Sequence, residues 1–405
     1  MVKHLYIHVP FCHRICPYCS FYKHTFGNIN QSELGDALLN EISIRAQKFE
    51  LNNIETIYLG GGTPTALSSK NLEALLTGIN EKINLSDLTE WVIEANPRTI
   101  NLNKAKMIRK SGVTRVSLGI QSWDPSTLKT LGRDHDPDEA EESFEILRSC
   151  DFKSLNIDLM FSVPGQSLET WANDLHKTTK MRPDHISAYN LNYEEDTEYF
   201  EKLKRGEFSE SPEQDEEFFK LAMKVLRGSG FEHYEISNYA QPGHQSGHNK
   251  AYWSGADYLG IGPGAFSTVH GKRWRNVADT NKYIKLLALK EINEIETERE
   301  VIDPSSFRTE RIALELRTSR GISLDVLEET KTRVHDLETE GLISILVLPE
   351  NARGNYDLIV EASSDSVTWT PFHSQAVQSV TAKRLFRVRI VHKGQEEAKA
   401  KAEEK

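Results

Sequence analysis

The sequence is short of cysteine, of long apolar runs and of positive charge, and each shortage removes a class of protein. Four cysteines in 405 residues are too few for a disulfide scaffold and fit a reducing compartment. No stretch approaches the roughly 18 uninterrupted apolar residues of a membrane-spanning helix. The start, Met1-Val2-Lys3-His4-Leu5-Tyr6, enters a strand pattern with no apolar signal core, which predicts no cleaved signal and a cytoplasmic location. Formal net charge is −11, which argues against nucleic acid as the main partner and identifies no other. The length allows one core of about 200 to 250 residues plus one or two smaller units.

What is present is concentrated. Three of the four cysteines stand in Phe11-Cys12-His13-Arg14-Ile15-Cys16-Pro17-Tyr18-Cys19, and the fourth, Cys150, lies far away in the sequence. Three thiolates on one loop suit a [4Fe-4S] cluster that keeps one iron open for another ligand. A structural zinc site normally takes a second cysteine or histidine pair, and none follows here, although His8 or His13 offers a fourth ligand.

Strand-length apolar runs recur with helical patterns between them, the signature of parallel βα units. Six strands are expected, at His4 to Val9, Thr56 to Gly60, Trp91 to Ala95, Arg115 to Ile120, Ser154 to Phe161 and His185 to Leu191. Crossover helices are expected at Ser32 to Phe49, Ser69 to Ile83 and Pro137 to Cys150. Six units without clear evidence of two more predict an α/β fold with a partial (β/α)6 barrel, ligands collecting at the C-terminal ends of the strands.

Polar residues cluster at those ends. Gly60-Gly61-Gly62-Thr63-Pro64-Thr65 follows the second strand, where glycines permit close backbone approach to a ligand, or simply a tight βα turn. Glu94, Gln121 and Asp158 end the third, fourth and fifth strands, and Arg133 follows the fourth. Such groups suit ribose hydroxyls, an amide and a carboxylate, or else an internal ion-pair network.

The motifs IHVPFCxxxCPYC, YLGGGTPT, EANP, SLGIQS, LGRDH and DLMFSVPGQ together resemble the coproporphyrinogen III dehydrogenase-like branch of the radical S-adenosylmethionine (SAM) superfamily, over roughly residues 3 to 340. The resemblance implies a cluster on Cys12, Cys16 and Cys19, with SAM chelating the open iron. It places SAM contacts at Tyr6, Gly61, Gly62, Thr63, Glu94, Gln121, Arg133 and Asp158, and matches Tyr18 to an aromatic position that lines a second SAM in the oxidase. Two departures separate the chain from that oxidase: Phe21 stands where the oxidase has a further cysteine, and only 11 residues precede Cys12. Both features match the HemW group, regarded as haem chaperones for respiratory proteins. Oxygen-independent coproporphyrinogen III oxidation, or another radical SAM reaction on a tetrapyrrole, is the enzyme alternative.

That group also shares the motif H-N-x-x-Y-W, here His248-Asn249-Lys250-Ala251-Tyr252-Trp253. On a helix His248 and Tyr252 share a face, so both can meet a haem, with Asn249 and Trp253 beside them; a packed, hydrogen-bonded histidine is the plainer reading. His244 is a lesser candidate. The expected organisation is a barrel over 1–230, a segment closing its side over 231–303, a helical accessory domain over 304–345 and a divergent β-rich tail over 346–405. Within the last two, helices are expected at Phe307 to Leu316 and Ser323 to Leu342, and strands at Tyr356 to Glu361, Val367 to Pro371 and Arg384 to Val391, before a solvated end at Lys393 to Lys405. The expected partner is a haem-accepting respiratory protein; a homodimer and peripheral membrane contact stay open.

Overall fold

The computed structural model describes residues 2–27, 29–321, 356–363, 370–371 and 385–392. The first compact unit comprises residues 1–233 and 237–307, and the second 234–236 and 308–405.

Six parallel strands, β1 (His4–Val9), β2 (Thr56–Gly61), β3 (Glu90–Ala95), β4 (Arg115–Gln121), β5 (Ser154–Phe161) and β6 (His185–Asn190), lie side by side in sequence order. They fall within a residue or two of the expected runs. The helices between them are α1 (Gln31–Phe49), α2 (Ser69–Lys82), α3 (Leu102–Lys110), α4 (Pro125–Thr130), α5 (Pro137–Arg148) and α6 (Leu168–Met181). Sequential strand order with right-handed crossovers puts these helices on one face of the sheet, as in a barrel wall. α7 (Glu198–Lys204), α8 (Pro212–Gly228) and the short strands β7 (Glu232–Glu235) and β8 (Asn238–Ala240) follow. β8 runs antiparallel to β6.

The chain then crosses to the opposite edge. After α9 (Gly247–Trp253), strand β9 (Tyr258–Ile261) pairs parallel to β1. β10 (Phe266–Val269), β11 (Lys272–Asn276) and β12 (Glu296–Val301) extend that edge antiparallel, with α10 (Thr280–Ala288) between the last two. From Tyr258 onward the segment 231–303, expected to close the side of the barrel, thus lengthens the sheet beside β1. Its anchor is Glu41 on α1, fully buried and accepting from Gly262 N at 2.9 Å, Asn276 Nδ2 at 2.9 Å and Tyr283 Oη at 2.6 Å. Arg45, one turn on, pairs with both Glu41 and Glu296, so a charge on an otherwise apolar helix face is compensated on every side.

The two faces of the parallel sheet differ in chemistry. Leu5, Ile7, Val9, Ile57, Leu59, Ile93, Val116, Leu118, Ile157 and Leu159 are fully buried and pack toward the helices, alternating with the residues of the other face. That other face is polar and aromatic. Tyr6 and Tyr58 lie side by side at 6.1 Å, and Asn156 Nδ2 donates to Ser117 Oγ, Asp158 Oδ1 and Ser187 Oγ. His185 Nδ1 meets Asn156 Oδ1 at 2.6 Å.

In the second unit, β13 (Tyr356–Ser363) pairs antiparallel with β14 (Thr370–Pro371) and β15 (Leu385–His392). These match the expected strands at 356 and 384 and the end of the one at 367. Helix α11 (Pro304–Glu315) covers the expected run from Phe307; the expected helix at Ser323 to Leu342 and the end beyond Lys393 lie outside the described residues.

At the N-terminal ends of the strands, Arg115 Nε donates to Glu90 Oε2 at 3.0 Å, both side chains nearly buried. Removing the cation leaves a buried unpaired carboxylate, so Arg115→Met is expected to lower unfolding free energy by about 3 kcal/mol or more. Lys204→Met, which breaks an exposed pair with Glu201, is expected to leave the urea midpoint unchanged.

Candidate functional site

The cysteine loop leaves β1 at Pro10 and returns at His24. Phe11 and His24 form a bridge, closed by Cys12 N donating to His24 O at 3.0 Å and His24 N to Pro10 O at 2.9 Å. Within the loop Cys19 N donates to Cys16 O and Lys23 Nζ to Cys19 O. His8 on β1 holds Tyr22 O through Nε2 at 2.7 Å, which leaves Nδ1 to accept from Tyr6 Oη at 2.8 Å. Thr280, at the start of α10, meets Tyr22 Oη and His24 Nε2. None of these anchors was singled out from the sequence as a support of the loop.

The glycine turn lies directly against the loop's base. Gly62 N donates to Val9 O at 2.9 Å and Thr63 N to Phe11 O at 2.7 Å. A Cβ on Gly62 would stand 2.6 Å from Phe11 O, and one on Gly61, where φ is +109°, would stand 2.4 Å from the His8 ring. Gly61 N is bonded to Glu94 Oε2 at 3.0 Å. With the amides of residues 61 to 63 all taken, what the backbone of the two glycines can still offer a ligand is carbonyl oxygen, which suits a cationic group.

Glu94 accepts also from Tyr58 Oη at 2.7 Å. Burial pushes its carboxyl up to about 7, the hydrogen bonds from Tyr58 and Gly61 opposing and Asp158 adding to the rise. Asp158 is raised too, first by burial, against bonds from Ser187, Ser117 and Asn156. Gln121 has φ +73° at a register break in β4, a bulge that turns its side chain away from regular alternation. Arg133 Nη2 donates to Gly119 O at 2.7 Å, and Nη1 lies 3.5 Å from Cys16 Sγ. Among the described residues its buried Nε has no partner. Tyr18 packs on the apolar group of Leu131, Met160, Val163, Leu191 and Tyr199.

Cys12, Cys16 and Cys19 are half-buried free thiols. Burial pushes Cys12 up to about 11, and its Sγ lies 3.8 Å from Thr63 Oγ1. Among the described residues no three His, Cys, Asp or Glu side chains converge to hold one ion. Three thiolates on one loop can each bind a separate iron of a cubane and leave the fourth iron open. The donor set on this loop fits the cluster.

The four motif residues from His248 to Trp253 sit elsewhere. α9 covers the opposite, N-terminal ends of the strands: Ser246 Oγ, Gly247 N and His248 N all donate to Glu90. His248 is 2% exposed, with Nδ1 bonded to Thr56 Oγ1 at 2.8 Å and, among the described residues, Nε2 buried without a partner. Its ring lies 5.2 Å from Tyr58 and 5.1 Å from Tyr252. Burial lowers its imidazole to about 3. His248 and Tyr252 do share a face, but that face is turned into the sheet, so a porphyrin reaches Nε2 only if α9 moves. Asn249 N caps back to Ser246 Oγ, and Trp253 ends the helix.

Residues 6–177 match the Radical SAM superfamily. The chain is 35% identical to the heme chaperone HemW of Lactococcus lactis, across 80% of this chain and 83% of that one. It is 34% identical to the heme chaperone HemW of Bacillus subtilis, across 84% and 93%. The chain belongs to the HemW family. Like other radical SAM proteins, the family implies a [4Fe-4S] cluster and SAM. The solved coproporphyrinogen III oxidase HemN of Escherichia coli shares the fold, with a TM-score of 0.71 over 84% of each chain at 22% identity. Among the described residues of this HemW family member no helix is long and apolar enough to cross a membrane.

Two outcomes follow. Gly62→Ala is expected to disturb the loop base and lower iron content after anaerobic reconstitution at least severalfold, while Gly35→Ala, where a Cβ meets nothing within 4 Å, leaves iron unchanged. Glu94 titrates near 7 folded against an ordinary 4.5, so its stabilising protonated form is complete below about pH 4.5 and lost as pH rises through 7. Unfolding of SAM-free protein is expected to become easier by about 3 kcal/mol across that window, and Glu94→Gln to remove most of the slope.

Proposed function

We propose that this chain is a haem chaperone that carries a [4Fe-4S] cluster on Cys12, Cys16 and Cys19, binds SAM at the C-terminal ends of the strands, and passes haem to a respiratory protein in the cytoplasm or at the membrane surface. The observation that carries the cofactor reading is the seating of the cysteine loop on the glycine turn, with Glu94 and Arg133 alongside. When bound, the cluster supplies an electron and an open iron for SAM. Gly61, Gly62 and Thr63 would offer carbonyls to the methionyl ammonium, Arg133 a cation to its carboxylate, and Glu94 an acceptor for ribose hydroxyls. Tyr6, Gln121 and Asp158 border the same space, and Tyr18 closes its side.

For haem, His248 is the proposed iron ligand, with Tyr252, Asn249 and Trp253 around it. Thr56 already holds Nδ1, which orients the ring, and among the described residues Nε2 has no competing partner, the arrangement expected of a metal-binding imidazole. Binding there requires displacement of α9, whose tie to the sheet is Glu90. The haem chaperone names of the relatives support the same reading.

The test is an anaerobic haem titration followed by absorbance, run beside an assay for coproporphyrinogen III decarboxylation with SAM and a reductant. One haem per chain, at least tenfold weaker binding in His248→Ala and no vinyl product are expected. Unchanged binding in that variant would move haem off α9 and leave His248 as packing; SAM-dependent protoporphyrinogen formation would replace the chaperone with the oxidase.

A further inference from the structure

Lys104 breaks two local rules at once. It is buried, 8% exposed, and it stands in the first turn of α3, whose N-terminal dipole disfavours a cation and whose first turn holds no acidic residue. Only burial shifts its amine, downward, and among the described residues no carboxylate pairs with it. Its partners are two carbonyls: Nζ donates to Thr65 O at 2.7 Å and to Leu67 O at 3.0 Å. A buried ammonium without a counter-ion is costly, and these bonds are what hold it there.

Both carbonyls belong to the exit of the glycine turn. Pro64–Ala66 forms one turn of 3-10 helix, and its last carbonyls need partners. The turn's entrance is fixed by Gly61, Gly62 and Thr63 through Glu94, Val9 and Phe11. Thr65 Oγ1 is fixed on Thr99 Oγ1 at 2.6 Å. Without Lys104 the backbone of the 3-10 turn would keep its own weak bonds, Ala66 N to Thr63 O and Leu67 N to Pro64 O, beside the hold of the Thr65 hydroxyl on Thr99.

We propose that Lys104 is a positioning residue for SAM: it clamps the exit of the Gly60–Leu67 turn and so sets the carbonyls that receive the methionyl ammonium. The inference rests on the SAM reading above, and touches neither the cysteines nor α9.

Lys104→Met keeps the stem and removes the donors. Full-length protein is compared by peptide-resolved hydrogen exchange without SAM, by iron content, by haem titration, and by the SAM concentration that half-changes the EPR spectrum of the reduced cluster. Exchange over residues 60–68 is expected to rise about tenfold and the SAM midpoint to rise about tenfold or more, with iron, haem affinity and melting temperature near wild type. Unchanged exchange and an unchanged midpoint would overturn the proposal, leaving Lys104 as filler. Joint loss of iron, haem and thermal stability would also overturn it, assigning Lys104 to the fold at large. A wild-type spectrum that does not respond to SAM would remove the cofactor reading itself, and the role of Lys104 with it.

Discussion

Everything at the mouth of the sheet depends on one backbone contact, the exit of β1 lying on the exit of β2. Val9 O and Phe11 O receive the amides of Gly62 and Thr63, and at Gly61 and Gly62 so close an approach is open only to a residue without a Cβ. The loop that carries the thiols therefore starts from a fixed base rather than from a flexible strand end. His8 adds a second constraint, since its two ring nitrogens are divided between the loop and Tyr6. A ligand entering beside the turn meets a site that is already ordered, which lowers the conformational cost of binding.

The two ends of the strands solve opposite problems. At the N-terminal end the buried charges are answered internally: Glu90 is paired with Arg115 and accepts three bonds from the start of α9. At the C-terminal end they are answered only in part. Among the described residues Glu94 has two donors and no cation, Asp158 has neutral donors, and Arg133 reaches a carbonyl and a thiol. Groups held at that disadvantage are what an incoming polar ligand can complete, whereas a closed network has nothing left to offer.

The sequence was most legible where periodicity and spacing are local. Strand-length apolar runs with helical patterns between them located all six parallel strands, and the order of the βα units fixed their neighbours. Glu94, Gln121, Arg133 and Asp158 could be placed at strand ends for the same reason. Long-range pairing was not legible. Glu41 lies on the apolar face of α1 because residues more than 200 positions later supply its donors, and Lys104 reads as an ordinary surface lysine until Thr65 and Leu67 are seen beside it. Tyr58 carried a weak signal, being two residues from Gly60 on an alternating strand. The direction in which α9 presents His248 depends on where the helix docks, and helical spacing says only that His248 and Tyr252 share a face.

That direction bears on what the protein does with haem. β1 runs from His4, beside His248 and Thr56, to Val9, where the cysteine loop begins, and six residues of strand span roughly 17 Å to 20 Å. Hydrogen abstraction needs reacting atoms within about 3.5 Å. Tyr58 bridges part of the separation along β1, since the His248 ring lies 5.2 Å from it and its hydroxyl donates to Glu94 at 2.7 Å. In the proposed function a haem on α9 and a ligand at the turn would then be linked through Tyr58 and the strands between them.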